Sequence, residues 1–323
     1  LIASNKSNIM AYKGTDGGKL WEKRAEGVGF KGHPESLWDK VIIWRDKIID
    51  QRGPGLAYDI LTGEPVKRKH PVTGAEIPWE FTKIGHHCNY AIASEHLLTF
   101  RAANAGYHDL ATGGTMALPG FRSGCRNSLI PANGILNAPN FANGCICSFS
   151  IYTSLAMVHM PDAEKWTYSS FGKDAGRIRK VGVNFNAPGD RMASNGTLWV
   201  DYPGNNRPSP QVSVSVQPAR PKGYQVHSRQ VNGKDGTNAW VTASGISGVS
   251  SIKLKVGKPE DGASFYAVNL HFADPEVHQL GERVFDIFLQ GDIAAKSLDL
   301  AKESPGRLNP MVKSFQHVKV TDS

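Results

Sequence analysis

The 323-residue sequence lacks the marks of several large protein classes. It has no apolar run of the length that a transmembrane helix needs, so we expect no membrane-spanning segment. It also has no G-x-S-x-G, no H-E-x-x-H and no carboxylate pair set apart by its spacing. Hydrolytic catalysis is left without candidate residues. The sequence therefore predicts no catalytic residue, and we lean towards a non-enzymatic chain.

A helical reader or a stacking platform for nucleic acid is also missing. The formal net charge is +8 and the pI is about 9.2, but the basic residues are scattered. The densest clusters, Lys67–Lys69 and Arg177–Lys180, are short and lie beside turns. Because a nucleic-acid surface needs clustered positive charge, we expect no nucleic-acid partner.

What the chain does contain is typical of a globular protein rich in strands and turns. Apolar residues make up 40% and charged residues 20%, and the 34 glycines and 19 prolines are dispersed. This length and composition predict two domains with cores of their own.

Three features bear on the compartment. The sequence begins at Leu1 without a methionine or a signal peptide, and a repeat is already under way at Ile9–Lys13, so we expect a piece of a longer processed chain. An even number of cysteines, four, lies between residues 88 and 147, which is typical of pairing in an oxidising compartment. Two sequons, at Asn5 and Asn195, are compatible with export. We expect an exported protein (periplasmic, cell-surface or extracellular).

A repeat runs through the first half of the chain. Tyr12–Gly18, Tyr58–Glu64 and His108–Gly114 align at offsets of 46 and 50 residues, and His159–Glu164 is a degenerate fourth copy. Repeats of this period that hold short strands predict propeller blades. Residues 1–170 supply three to four blades, fewer than most closed rings contain. We therefore expect missing N-terminal blades or other chains to complete the propeller.

Two sets of segments carry a resemblance to a known family. Ala11–Trp21 and Ala57–Glu64 resemble the repeat of quinoprotein-type (PQQ-like) β-propellers. The segments that narrow the resemblance to the last blades of PQQ-like proteins of planctomycete-type bacteria are His86-His87-Cys88, Arg122–Cys125, Pro131–Gly134 and Cys145–Cys147. The resemblance implies a partial propeller. It does not define an activity.

The four cysteines admit more than one role. A direct Cys145–Cys147 bridge would close a strained ring, so we expect Cys88 and Cys125 to pair with Cys145 and Cys147 in one of two connectivities. The alternatives are free thiols or a metal site, for which the candidate ligands are His86, His87, Cys88 and Cys147, with Cys145 beside them.

A quinone cofactor is the enzymatic alternative that the propeller resemblance raises. Enzymes of that class carry an adjacent-cysteine disulfide, and this sequence has no Cys-Cys pair. Asp59 and Asp109 lie in the repeated turn, where a carboxylate caps the backbone. We therefore expect no cofactor, and PQQ or a bound metal remains the lesser alternative.

The second half predicts a β-sandwich at residues 181–323, after a linker at 171–180. Alternating apolar residues predict strands at Gln211–Val216, Ser251–Val256, Phe265–Phe272, Val284–Gln290 and Phe315–Val320. The predicted core residues are Val183, Phe185, Leu254, Val268, Leu270, Phe272, Phe285, Ile287 and Leu289. The fold class is thus all-β, a partial propeller followed by a sandwich of jelly-roll type.

This half resembles the malectin-like, or di-glucose-binding, domain. The segments that carry the resemblance are Asn184–Ala187, Tyr266–Asp274 and Gly281–Gly291. The resemblance implies carbohydrate as the partner. Proteins bind sugars by stacking aromatic rings and by charged hydrogen bonds. By chemistry the candidate binding residues are Trp199, Asp201, Tyr202 and Trp240. The alternative is that both tryptophans plug the ends of the sandwich.

Together these observations predict an exported bacterial protein with a carbohydrate-binding or extracellular assembly role. The alternative is a redox or metal-containing propeller enzyme whose sandwich is an accessory carbohydrate-binding module.

Overall fold

The computed structural model describes residues 1–5, 7–24, 40–83, 89–124, 127–139, 153–172, 176–204, 209–232 and 239–321. These residues form strands, turns and loops, and the one α-helix among them is the single turn Leu300–Glu303. The all-β prediction is confirmed. No helix in these ranges is long and apolar enough to cross a bilayer.

The chain folds into two compact units. The first contains Leu1–His70, Gly74–Lys173 and Arg207–Pro210, and the second contains Pro71–Thr73, Asp174–Asn206 and Gln211–Ser323. The second unit therefore covers most of the sandwich predicted from the sequence.

The first unit consists of small antiparallel sheets that follow one another along the chain. Their strands are β1 (Ile2–Ser4), β2 (Asn8–Tyr12), β3 (Lys19–Arg24), β4 (Val41–Trp44), β5 (Lys47–Asp50), β6 (Ala57–Asp59), β7 (Lys67–Lys69), β8 (Glu76–Pro78), β9 (Ile92–Ala93), β10 (Leu97–Ala102), β11 (Asn104–Asp109), β12 (Gly114–Leu118), β13 (Ile130–Ala132), β14 (Ile135–Ala138), β15 (Leu155–Val158) and β16 (Tyr168–Ser169). The sheets are ordered β1-β2-β3, β4-β5-β6, β7-β8, β9-β10-β11-β12-β16 and β13-β14-β15.

The sheet β4-β5-β6 packs against neighbouring sheets on both of its faces. On β5, Ile48 and Ile49 point to opposite faces, as neighbours on a strand must. Ile48 packs with Ile9 of the first sheet, whereas Ile49 packs with Leu98 of the sheet that contains β10. One sheet therefore contributes to two successive hydrophobic clusters.

The repeated segments form the same turn. In the first three copies a glycine with positive φ donates its N–H to the carbonyl four residues earlier, as Gly63 does to Asp59 at 2.9 Å and Gly113 does to Asp109 at 2.9 Å. The carboxylate of Asp59 accepts from the backbone N–H groups of Leu61 and Thr62, and Asp109 accepts in the same way from the two equivalent positions. The expected capping role of both aspartates is confirmed.

The degenerate fourth copy does not form this turn. The N–H of Ala163 donates to Met160, three residues earlier, because the position lacks the glycine that the wider turn requires. The same turn occurs instead at His70–Ala75, where the N–H of Gly74 donates to His70 at 2.8 Å. The sequence comparison missed this copy, since a histidine stands where the other copies carry aspartate or lysine.

Trp21 joins the first sheet to the turn of the next. Its indole Nε1–H donates to the carbonyl of Ile60 at 3.2 Å, and its ring lies where a Cβ on Gly63 would be, 2.7 Å from indole Cδ2. The tryptophan of one repeat therefore packs on the turn of the following repeat. The described residues do not form a complete ring of blades.

The second unit contains the sandwich strands. They are β17 (Gly182–Phe185), β18 (Arg191–Met192), β19 (Leu198–Tyr202), β20 (Val214–Gln217), β21 (Lys222–Gln225), β22 (Ser244–Ser247), β23 (Ser251–Leu254), β24 (Ser264–Phe272), β25 (Val284–Leu289), β26 (Asp292–Asp299) and β27 (Met311–Val320). Their pairings are β17-β19-β18, β20-β23, β21-β22, β24-β27 and β25-β26. Short 3₁₀ turns span Ser228–Gln230, Ala239–Val241 and Pro259–Asp261, and α1 is Leu300–Glu303.

Seven of the nine predicted core residues of the sandwich lie on the less exposed face of their strands. The prediction is wrong for Val183 and Phe185, because the buried residues of β17 are Gly182 and Asn184 on its other face. On β24, Val268, Leu270 and Phe272 are half-buried, whereas Phe265 on the other face is 64% exposed. Phe272 contacts Phe285 of β25 with ring centroids 5.8 Å apart, which joins the inner faces of two strand pairs. The alternation is confirmed on β24 and β25, although Ile287 is the one member of the predicted set that is buried, with 7% of its surface exposed.

Candidate functional site

The short sheet β17-β19-β18 holds two of the predicted sugar-binding residues on one face. β17 and β19 are parallel, with Gly182 paired to Trp199 and Asn184 to Asp201, and Arg191 of β18 also pairs with Trp199. Because side chains two residues apart share a face, these five residues project to the same side of the sheet. We call this set, Gly182, Asn184, Arg191, Trp199 and Asp201, the Trp199 face.

Trp199 is half-buried at the centre of this face. A Cβ built on Gly182 would lie 2.1 Å from indole Cδ2, so the ring rests directly on the Gly182 backbone. The rings of Trp240 and His271 meet the indole edge-on, with centroids 5.8 Å and 5.1 Å away. Both contacts are the T-shaped geometry that aromatic quadrupoles favour. The indole is therefore held in one orientation from three sides.

Trp240 packs against Trp199 from the interior and supports its ring. It lies in the 3₁₀ turn Ala239–Val241 and only 9% of its surface is exposed. The guanidinium carbon of Arg191 lies 4.7 Å from the Trp240 ring centroid, a cation–π contact. With its edge against Trp199 and one face under Arg191, Trp240 has little surface left for a ligand.

Asp201 and Tyr202 are neighbours in sequence but lie on opposite faces of β19. The backbone N–H of Asp201 donates to Oδ1 of the fully buried Asp190 at 3.2 Å. Tyr202 packs its ring edge-on to Phe185, with centroids 5.6 Å apart. Tyr202 therefore lies on the Phe185 side of the sheet, away from Trp199.

Asn184 is a buried polar member of the Trp199 face. It is 2% exposed, and its Oδ1 accepts from the hydroxyl of Ser244 at 3.0 Å. Its Nδ2 has no hydrogen-bond partner within the described ranges. The segment Asn184–Ala187 was one of those that carry the malectin-like resemblance. The burial of the Asn184 side-chain amide was not predicted from the sequence.

His271 is the titratable ring of the site. Burial lowers the pKa of His271 below its ordinary value, so the imidazole is neutral at neutral pH. It lies in Tyr266–Asp274, one of the segments that carry the malectin-like resemblance, and its contact with Trp199 was not predicted. No local pattern shows it, because 72 positions separate the two residues.

A second polar cluster lies around β21 and the loop after β24. Arg283 donates to Asp274 at 2.7 Å, and Lys222 donates to Glu276 at 2.6 Å. The hydroxyl of Tyr224 donates towards the carbonyls of Thr242 and Ala273, and burial raises its pKa to about 12.

A cleft of about 80 Å³ lies beside this cluster, lined in part by Lys222, Tyr224, Glu276 and Arg283. Pockets for small organic ligands measure about 300–1,000 Å³. The cleft can hold a few waters but not a disaccharide.

The predicted disulfides and the alternative metal site concern residues that the structure does not describe. Cys88, Cys125, Cys145 and Cys147, with His86 and His87, lie outside the described residues. Within the described ranges no group of three or more His, Cys, Asp or Glu side chains is arranged to hold a metal ion.

The comparison with protein families finds a match in the second half of the chain. Residues 181–323 match the malectin domain family. The matched region begins one residue before β17 and includes the whole Trp199 face. The resemblance expected from the sequence is confirmed for this part of the chain.

A curated relative of the chain is a plant protein. A probable LRR receptor-like serine/threonine-protein kinase of Arabidopsis thaliana is 39% identical over 67 residues, which are 19% of this chain and 6% of the relative. The chain therefore spans a small fraction of that protein. No solved structure matches the chain.

Proposed function

We propose that the malectin domain at residues 181–323 binds carbohydrate through the Trp199 face. The observation that carries the proposal is the family match together with a half-buried tryptophan that shares one sheet face with a cation, Arg191, and a carboxylate, Asp201. A sugar ring stacks on an indole through its apolar C–H face, while its hydroxyls bond to charged groups at the rim. Trp199 supplies the first element, and Arg191 and Asp201 supply the second.

The packing around Trp199 favours binding without rearrangement. Gly182, Trp240 and His271 fix the indole before any ligand arrives. Fixing a side chain in advance removes about 0.5–1.5 kcal/mol of ordering cost from binding. Of the four residues predicted from the sequence, we assign contact to Trp199 and Asp201, support to Trp240 and no direct role to Tyr202.

The proposal is tested by titrating the protein with glucose disaccharides of each linkage and with a wider glycan panel. Trp199→Leu keeps an apolar side chain but removes the ring, and we expect affinity to fall at least about tenfold, or 1.4 kcal/mol. Phe265→Leu is the matched control, because this phenylalanine is 64% exposed on the outer face of β24. The proposal would be contradicted if both variants bound the glycan with equal affinity and each had an unchanged melting temperature.

We propose that residues 1–170 form blades of a β-propeller. Additional N-terminal blades of the same protein, or other chains, would complete this propeller. The support is the layered packing of successive sheets and the docking of Trp21 on the turn that contains Gly63. We further propose export, since malectin-like domains are typical of extracellular proteins. An assembly role and a bacterial source belong to the same proposal. Intact precursor mass and cell fractionation test it: a full-length protein confined to the cytoplasm would contradict export.

A further inference from the structure

The turn between β18 and β19 presents an asparagine at its tip. The N–H of Gly196 donates to the carbonyl of Ala193 at 2.9 Å, and the N–H of Ala193 donates to Thr197 at 2.9 Å. Gly196 has a φ of +74°, a conformation that glycine adopts without strain. These bonds fix a tight loop and leave Asn195 exposed.

The side chains of this turn are arranged around the sequon Asn195-Gly196-Thr197. Oδ1 of Asn195 accepts from the backbone N–H of Thr197 at 3.0 Å. Within the part of the chain that the structure describes, the Nδ2 of Asn195 and the hydroxyl of Thr197 have no hydrogen-bond partner. The hydrogen bond that the side-chain Oδ1 accepts therefore orients the amide group of Asn195, and the Nδ2 of this exposed residue is left unbonded by the described residues.

We propose that Asn195 is an acceptor of an N-linked glycan when the chain passes through a compartment that contains an N-glycosylation transferase. The donor is a lipid-linked oligosaccharide diphosphate. Nδ2 of Asn195 forms a bond to C1 of the first sugar, the bond between C1 and the diphosphate oxygen breaks, and the lipid diphosphate leaves with that electron pair. The amide nitrogen loses one proton in the step. This site is independent of the proposed sugar-binding function.

The fold accommodates the product. An N-glycan is bulky and must lie on the surface. The tip of the turn meets this condition, because a Cβ added to Gly196 would have only the flexible end of Lys180 as a neighbour, at 3.8 Å from Nζ. Lys180 also donates to the carbonyl of Asn195 at 3.2 Å, which anchors the backbone and not the amide.

The second sequon supplies an internal comparison. Oδ1 of Asn5 accepts from the backbone N–H groups of both Ser7 and Asn8, and its carbonyl accepts from the buried Arg52. Asn5 is also exposed. Occupancy must therefore be assigned to one asparagine or the other by peptide mapping.

The test expresses the full chain behind a secretory leader in a eukaryotic host and maps the secreted, folded protein. Release of the glycan by peptide N-glycosidase in water labelled with heavy oxygen marks each modified asparagine. We expect the label at Asn195. Protein made in a host without N-glycosylation gives the background from spontaneous deamidation of the Asn-Gly pair.

Two variants of Thr197 separate recognition of the sequon from folding. Thr197→Ser keeps the hydroxyl and should keep the label, whereas Thr197→Val has nearly the same shape and should lose it. Asn195→Gln should remove the same glycan from the intact mass. Secreted, folded wild-type protein with an unlabelled Asn195 would overturn the proposal, as would a label that persists in Thr197→Val.

Discussion

Trp199 rests on the backbone of Gly182 with no room for another carbon atom. A Cβ at position 182 would lie 2.1 to 2.5 Å from three atoms of the indole. Carbon atoms that are not bonded to each other do not approach so closely, so the strand pairing of β17 with β19 requires glycine at this position. The orientation of the tryptophan therefore depends on a residue 17 positions earlier.

Gly182→Ala should destabilise the second unit by about 1–3 kcal/mol, because the methyl group overpacks a rigid aromatic contact. Chemical denaturation followed by fluorescence measures the free energy of unfolding. Gly204→Ala is the control, since its Cβ would make only ordinary contacts, the nearest to the Asp201 carbonyl at 3.7 Å. A loss at position 204 as large as that at position 182 would show that steric contact is not the cause.

Ser244→Ala should cost about 1–3 kcal/mol, because it leaves the buried Oδ1 of Asn184 without its partner. Ser247→Ala lies on the same strand and removes only an exposed hydroxyl that bonds to Lys222 at 3.4 Å. We expect this control to change the free energy of unfolding by no more than about 0.5 kcal/mol. Equal effects at both serines would argue against a buried amide at Asn184.

His108 should make the first unit less stable as the pH falls. Its ring is fully buried and bonds to the hydroxyl of Thr115 at 2.9 Å, and burial lowers its pKa to about 3. Below pH 6.5 the unfolded chain binds a proton that the folded state excludes. Stability is therefore complete above about pH 6.5 and is lost on acidification towards the folded pKa, by at most about 1.4 kcal/mol per pH unit.

His108→Asn tests this dependence, because the amide can keep the bond to Thr115 and does not titrate. The free energy of unfolding of the first unit, measured between pH 6.5 and 5, should fall less steeply in the variant. His70 is also buried with a lowered pKa and supplies the same background in both proteins. Identical slopes would mean that His108 accepts its proton without opening the fold.

Trp21→Phe should lower the stability of the first unit by about 1 kcal/mol, since it removes the hydrogen bond from the indole to Ile60 at a part-buried site. Trp44→Phe removes a similar bond, to Glu95 at 3.0 Å, from an exposed site where water replaces it. The difference between the two variants, read from the midpoint of thermal unfolding, reports the docking of one repeat on the next. No difference would mean that this docking contributes little.

Local patterns predicted those parts of the fold that depend on neighbouring residues. The pair Asn133-Gly134 is a sequence signal for a two-residue hairpin turn, and it forms the turn between β13 and β14 with the positive φ that such a turn requires at both residues. Alternation predicted the inner face of β24. The strand β26 was missed, because Ala294 and Lys296 have low strand propensity and the strand exists through its pairing with β25.

The candidate site was predicted only in part, for the same reason. Residue type alone predicted Trp199 and Asp201 correctly as members of one face. The structure does not place all four predicted sugar-binding residues on that face. Tyr202 points to the other face, and Arg191 and His271 join through contacts across strands. Such contacts depend on register, which a single sequence does not state.

The most direct test of carbohydrate binding at the Trp199 face is the ¹H–¹⁵N signal of the Trp199 indole during titration with the best glycan of the panel. Its assignment follows from its loss in Trp199→Leu. We predict that this signal shifts and saturates with the same Kd as the heat of binding, whereas the signal of Trp21 in the first unit stays in place. Saturable binding heat with an unmoved Trp199 signal, or no binding by any glycan, would contradict the account.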